Sequence, residues 1–555
     1  MNKKYTAIIS GKRKYRFFPS YRFAVVLLMF GGCFSRQAGN NILNFTIACM
    51  VNSTAYMETD ASSNSSDKTG CAAKAISTHE TSQFGGTYLW DREIQSNLLA
   101  GLGWGSVVLI FAGGYVCDRF GVKKMYVAVM ALLTLTECII PVVAPHGWVG
   151  VFVVRILQGT AMVVGWPVVL VVAHQWFSAN EQSLVHTLST TGSQFGAIFA
   201  MGISGKMCQT VGWQASFYLL GAIAGVVCLA WVLFYSDNVD DCRWLSEAEY
   251  NFLLLNRKHH TTNVANKKPK IPWRSMLTSI PVWACIIVNF GSSYTFFFIG
   301  QFSPTYYKEF LALDPSSSGI YTALPFISQI VGRAIGFYAI TLARRCGMRN
   351  TTFVRIMGAI LAIGQSGFVA LATAFDCYTP GGAVACFSLV YMFFGMNIAA
   401  YIKSSAEIAP PYTGTITGLT QTAMFAAGVL SPYLTGAITP HSSQSEWRIA
   451  IYLAASFSLV CGLVFAFFGQ SEPQPWAQSS SSRPHGTRRQ ADIEDDIVSL
   501  PTAPQMQPPY YYNAALDGPP GYYDVEESQA NNGIVYTIDG HDNSITYRSE
   551  GMNGR

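Results

Sequence analysis

Apolar residues run along this chain in long blocks rather than in alternation. Stretches such as 23–35, 149–173 and 450–469 carry at most one charge each, and blocks of about 20 apolar residues have the length that crosses a bilayer as a helix. Twelve such spans are read near 22–48, 93–115, 123–143, 149–172, 184–207, 214–236, 279–300, 317–342, 352–374, 380–403, 414–436 and 448–469. Most lack the polar stripe that a helix of a soluble bundle turns to water. The pattern predicts an all-α membrane protein of twelve transmembrane helices in two six-helix halves, residues 22–236 and 279–470. Residues 1–21 form a basic N-terminus, and 52–92 a long connection inside the first half. Residues 237–278 join the halves, and Ser246 with Glu249 fits a capping box that predicts a short amphipathic helix near 246–257. From 471 to 555 the chain turns to Ser, Pro, Gln, Gly and Tyr, which predicts a disordered tail.

Basic residues give the orientation, because they collect on the cytoplasmic side. Lys3, Lys4, Lys12, Arg13, Lys14 and Arg16 precede the first span. Arg257, Lys258, Lys267, Lys268, Lys270 and Arg274 lie between the halves, and Arg344, Arg345 and Arg349 follow the eighth span. All fall on one side, so both termini are expected in the cytoplasm and 52–92 outside it. Asn52 and Asn64 then stand as glycosylation sequons. The first span is too long for a signal-peptide core, and no small-residue cleavage site is apparent.

Composition sharpens this picture. Half the residues are hydrophobic and 12% are charged, against about 25% in soluble domains. The net charge of +5 follows from topology and gives no reason to expect nucleic acid. Of the thirteen cysteines, most lie inside spans as small packing residues. Cys71 and Cys377 fall in non-cytoplasmic loops, where they either pair or stay free. No metal-ligand spacing, nucleophile–base set or phosphate loop is present, so no enzyme, cofactor or metal is expected. In the tail, Pro508, Pro509 and Tyr511, then Pro519, Pro520 and Tyr522, read as two PPxY motifs that dock WW domains, or as chance matches in a Pro- and Tyr-rich segment.

GGYVCDRFGVKK at 113–124 places Asp118 and Arg119 in a short connection between spans. The pair Gly113 and Gly114 lets two helices approach closely just before that turn, and Gly121 follows in the turn itself. This stretch resembles the signature loop of the major facilitator superfamily of transporters, which implies a conformational latch made by Asp118 and Arg119. VRILQG (154–159), RWLSEAE (243–249), SPTYYKEF (303–310), EIAPPYTG (407–414), GVLSPYLTGAIT (428–439), EWRIAI (446–451) and EPQPWA (472–477) resemble, in order and spacing, one branch, the anion–cation symporters. That resemblance covers roughly 20–477. It implies halves that rock around a midplane site, and an anion-attracting arginine at Arg155. Other family charges are replaced: the first-span Arg by Asn40, a second-span His by Leu99, the fourth-span Glu by Met162 and a seventh-span Arg by Ser292.

Charges within spans cost about 2.5–3.5 kcal/mol each on insertion scales, which makes each one a functional candidate. Arg155 either pairs with a substrate carboxylate or with a carboxylate on another helix. Arg36, Asn40 and Asn44 share one face of the first span by i, i+4 spacing. Glu137 is a proton carrier, a counter-ion or an interfacial residue. Arg333 and His186 are further coupling candidates, and Tyr294 lines a pocket on the family resemblance. The expected function is a secondary transporter moving a small organic anion or inorganic phosphate, coupled to protons, sodium or voltage. The other reading is a transport-inactive receptor or scaffold signalling through its tail. The membrane is vesicular, lysosomal or plasma.

Overall fold

The computed structural model describes residues 20–52, 86–177, 179–237, 271–311, 313, 315–376, 378–440 and 443–478, scattered positions between 242 and 253, and two strands in the tail. Twelve long helices follow the twelve apolar blocks. They are α1 (Tyr21–Met50), α2 (Arg92–Phe120), α3 (Val122–Val143), α4 (Trp148–Trp176), α5 (Ala179–Thr210), α6 (Trp213–Phe234), α7 (Ile280–Glu309), α8 (Pro315–Arg345), α9 (Asn350–Leu371), α10 (Pro380–Gly395), α11 (Thr413–Ile438) and α12 (Gln444–Phe468). Helix α10 passes through a 3-10 turn at Met396–Ala399 into a further helical piece, Tyr401–Ile408.

Among the described residues, seven helical segments are long and apolar enough to cross a membrane by length and hydropathy alone. Helices α1 and α11 fall short for a visible reason. The first carries Arg22, Arg36 and three asparagines, and the second is rich in threonine and glycine. A helix surrounded by other helices can keep such residues away from lipid.

The start of α1 shows how a helix end is satisfied. Ser20 Oγ accepts from Phe23 N at 3.2 Å, while the Glu249 carboxylate accepts from Tyr21 N at 3.2 Å and Arg22 N at 3.0 Å. Three of the four orphan amides of the first turn are thereby bonded, two of them by the connection between the halves. The capping box expected there is only half formed: Ser246 Oγ does accept from Glu249 N at 3.3 Å, but the Glu249 side chain serves α1. Residues 247, 249, 250 and 253 are helical, and the rest of that segment lies outside the described residues.

The core is divided unequally. At the end of the bundle that carries the 52–92 connection, one cluster unites both halves, from Ile42, Leu98 and Phe217 to Phe302, Val390 and Trp447. Toward the end where α1 begins and α12 finishes, the core separates. One cluster there belongs to the first half, around Tyr126, Trp176 and Trp231, and one to the second, around Met276, Tyr401 and Phe465.

The chain stays packed past the last span. Residues 471–478, which composition assigns to the tail, rest on the second half: Ser471 Oγ donates to Glu407, Gln474 N donates to Ile408 O at 2.8 Å, and Ala477 is buried. Residues 484–555 form a separate unit. Part of it is ordered into an antiparallel hairpin, Ile534–Asp539 with Ser544–Ser549, in the register Ile534 to Ser549. YTI and ITY, with their β-branched and aromatic residues, have the composition of strands.

Candidate functional site

Helices α2 and α4 cross so closely that each needs a glycine. A Cβ on Gly105 would overlap the Ile156 carbonyl, and one on Gly159 the Leu102 carbonyl. This contact fixes the α4 face that carries Arg155 and Gln158 one turn apart. Arg155 Nη1 donates to Gln158 Oε1 at 2.8 Å, and Gln158 Nε2 donates to Glu137 Oε1 at 2.7 Å across to α3. All three side chains are 1–2% exposed. A cation, an amide and a carboxylate are thus strung in series inside the first half. Glu137 Oε2 and Arg155 Nε have no hydrogen-bond partner, so the string is unsatisfied at both ends. Gly39 of α1 makes room for it, since a Cβ there would overlap Glu137 Oε1.

Arg36 lies on the same side of α1, one turn before Gly39. Its Nη1 donates to the Met162 carbonyl at 2.9 Å, and its chain lies across Gly165 of α4. Met162 is two turns along α4 from Arg155, about 10 Å of rise. The two arginines therefore face one wall at different depths. Asn40 and Asn44 are buried as well, with Asn44 Nδ2 3.5 Å from Asn41 Oδ1. The polar stripe read from the sequence is turned into protein along its length.

In the second half, Tyr294 is buried and tilts against Phe457 at 4.6 Å, and Phe296 stacks on Tyr391 and Phe394. Ser292, where the family places an arginine, donates to Gln365 Oε1 at 2.8 Å. Arg333 of α8 is half-buried, and α8 packs against α5 of the other half, the helix that carries His186. The two coupling candidates thus lie on helices that meet across the boundary between the halves.

The signature loop is shorter than expected. Helix α2 continues through Phe120 and α3 starts at Val122, so Asp118 and Arg119 lie on the last turn of α2 rather than in a free connection. Gly121, with φ of 83°, supplies the break. Asp237, beyond α6, accepts from Lys123 N at 2.8 Å and caps α3 beside it. The side chains of Asp118 and Arg119 lie outside the described residues. So do Asn64, Cys71, Cys377 and both PPxY motifs, Pro508 to Tyr522. Asn52 sits at the base of the long connection, where its amide donates to Tyr88 O at 3.0 Å.

Several polar residues escaped the sequence reading. Arg92 of α2 meets Glu309 of α7 at 2.6 Å, and Lys308 Nζ reaches the Ala48 carbonyl at 2.5 Å. Trp104 Nε1 donates to Tyr433 Oη at 3.2 Å. These three links join the halves, and all lie toward the 52–92 end. Arg22 is fully buried between Glu181 at 2.9 Å and Glu249 at 3.2 Å. A disulfide joins Cys49 at the end of α1 to Cys208 at the end of α5.

The sequence profile described as Major Facilitator Superfamily matches residues 29–432. The chain belongs to that superfamily. Among this major facilitator's relatives, the match to human sialin is 27% identical, covering 84% of this chain and 92% of sialin. Vesicular glutamate transporter 1 of Xenopus laevis is 30% identical over 70% of this chain and 68% of its own. An uncharacterized transporter of Caenorhabditis elegans, slc-17.2, is 26% identical over 85% and 96%. These relatives place the chain in the anion–cation symporter family. The fold is also that of the solved D-xylose–proton symporter, with a TM-score of 0.56 at 13% identity, over 81% of this chain and 99% of that one. The protein is a multi-pass membrane transporter of the secondary type.

Proposed function

We propose that this transporter carries a small organic anion, or inorganic phosphate, by alternating access, and that the Glu137–Gln158–Arg155 string ties its movement to a proton. The string is the observation that carries the reading. While Glu137 is ionised, its charge offsets that of Arg155 through one amide, and the pair is neutral in a low-dielectric interior. Protonation of Glu137 leaves Arg155 as a net positive charge, which attracts an anion far more strongly there than in water. Proton and anion then favour each other's binding, which is the linkage a symporter needs. The family's fourth-span carboxylate is absent at Met162, and Glu137 supplies one from α3 instead. Arg36 and Arg333 add positive potential on either side of the boundary between the halves. The relative named vesicular glutamate transporter 1 fits a carboxylate substrate.

The divided core supports a state joined at the 52–92 end and open toward the termini. With the orientation given by the basic residues, that opening faces the cytoplasm. Asp118 and Arg119, on the last turn of α2 beside the Gly121 break, serve as the latch for the opposite state.

The test is uptake by purified protein in liposomes, offered glutamate, other small carboxylates and inorganic phosphate with and without an inward proton gradient. The expected result is saturable uptake of one anion class, accelerated by the gradient. Folded protein that moves none of them under proton, sodium or voltage gradients would favour the receptor-like reading.

A further inference from the structure

A groove of about 560 Å3 opens in the second half at the end of the bundle where the termini lie, well away from the Arg155 string. It is bounded by the start of α7, the first turns of α9, the end of α12 and the packed segment after it. Among the described residues, Arg355 is the one ionisable residue in its lining. A guanidinium has five N–H donors, and Arg355 Nε is tied to the Gly469 carbonyl at 2.8 Å, so the head group is held in place at the wall.

Ser279 provides a second, independent sign. It is the N-cap of α7, the position from which a serine normally accepts a bond from the helix's own amides, yet its side chain makes no such bond. Ser279 is 8% exposed, lines the groove, and its Oγ is buried without a hydrogen-bond partner. A buried hydroxyl left unsatisfied in this way calls for a partner. It stands at the positive end of a thirty-residue helix, where negative charge is favoured.

We propose that this groove binds the phosphate of an anionic phospholipid from the bilayer leaflet on that side. Arg355 forms a charge-assisted contact with the phosphate, Ser279 Oγ donates to it, and the α7 dipole adds to the attraction. The walls choose lipid over a free ion. Ile280, Phe467 and Phe468 border the groove and are largely exposed on a membrane-spanning surface. Trp273 and Trp283, also partly exposed nearby, have the character of an interfacial aromatic belt. A head group at the arginine thus leaves its acyl chains along surface that already faces hydrocarbon.

The experiment is native mass spectrometry of the full-length protein released from nanodiscs of phosphatidylglycerol and phosphatidylcholine in equal parts. The wild type should retain phosphatidylglycerol preferentially. Arg355→Gln should lower that preference about tenfold, the scale of one charged hydrogen bond, and Ser279→Ala should lower it about threefold. An Arg355→Gln protein with a normal melting profile and unchanged preference would overturn the proposal. If that variant does not fold, Ser279→Ala carries the test, since it removes a hydroxyl with no protein partner, and unchanged retention would again overturn it. Millimolar inorganic phosphate in pure phosphatidylcholine nanodiscs should leave the melting temperature unmoved. Stabilisation there equal to that given by phosphatidylglycerol would assign the groove to the free ion instead.

Discussion

Arg92 and Glu309 meet at 2.6 Å across the boundary between the two halves, each less than one-tenth exposed. Arg92 also lies 5.9 Å from the centre of the Trp447 ring. The pair joins the first turn of α2 to the last residue of α7 at the end where the core is continuous. Any alternating-access movement that opens this end must break it and hydrate both charges.

Removing one partner of a buried pair costs about 3–5 kcal/mol because the other is left uncompensated. The open alternative, with the survivor in water, escapes that cost. Glu309→Gln should therefore favour opening at the 52–92 end. Labelling of a cysteine introduced at Ser96, in liposomes, should rise by an order of magnitude or more. Unchanged labelling would mean that the pair does not hold this end shut.

Gly39 and Glu137 make a similar test inside the first half. Gly39→Ala drives a methyl group into the carboxylate and toward Leu133, and overpacking of this kind costs about 1–3 kcal/mol. Transport should fall together with the melting temperature. Gly202 of α5 has nothing within 4 Å of an added Cβ, so Gly202→Ala should leave both unchanged. Equal effects at the two glycines would contradict the close approach at 39.

Arg22 is 0% exposed and lies against two carboxylates. Arg22→Ala leaves Glu249 buried and weakens the cap of α1, so a loss of about 3–5 kcal/mol is expected. Thermal unfolding in detergent, beside Glu249→Gln as the matching variant, measures it. A double variant no worse than either single one would show that the pair acts as a unit. Additive losses would deny the contact.

The Cys49–Cys208 bond closes a loop of 159 residues, and the chain-entropy account assigns about 5 kcal/mol to a loop of that length. Cys208→Ser should lower the melting temperature markedly. Rapid labelling of both thiols in the unreduced native protein would contradict the bond.

The helices were legible because apolar blocks of membrane length have few other uses. Their ends were less so. Helix α7 continues nine residues beyond the apolar block read as ending at 300, because Gln301, Ser303 and Thr305 are buried in the bundle rather than exposed to lipid. Arg155 and Glu137 stood out as charges in hydrocarbon, but Gln158 did not, since a neutral amide gives no such warning, and it is Gln158 that joins them. Glu249 reads from the sequence only as part of the cap of its own helix, and Arg22, at the start of the first span, was not singled out. Their pairing spans 227 residues, and no local pattern encodes that. Cys49 and Cys208 escaped for the same reason: each sits at a helix end and reads as packing until the fold brings the ends together.

The most direct test of the account compares uptake and internal pH in liposomes holding wild type, Arg155→Ala or Glu137→Gln. The wild type should take up the anion with an accompanying entry of protons. Arg155→Ala should lose uptake by at least a hundredfold, about the worth of one buried charge–charge hydrogen bond. Glu137→Gln should still exchange anion for anion, but without proton entry or acceleration by a gradient. Proton-coupled uptake that survives in Glu137→Gln, or anion uptake that survives in Arg155→Ala, would contradict it.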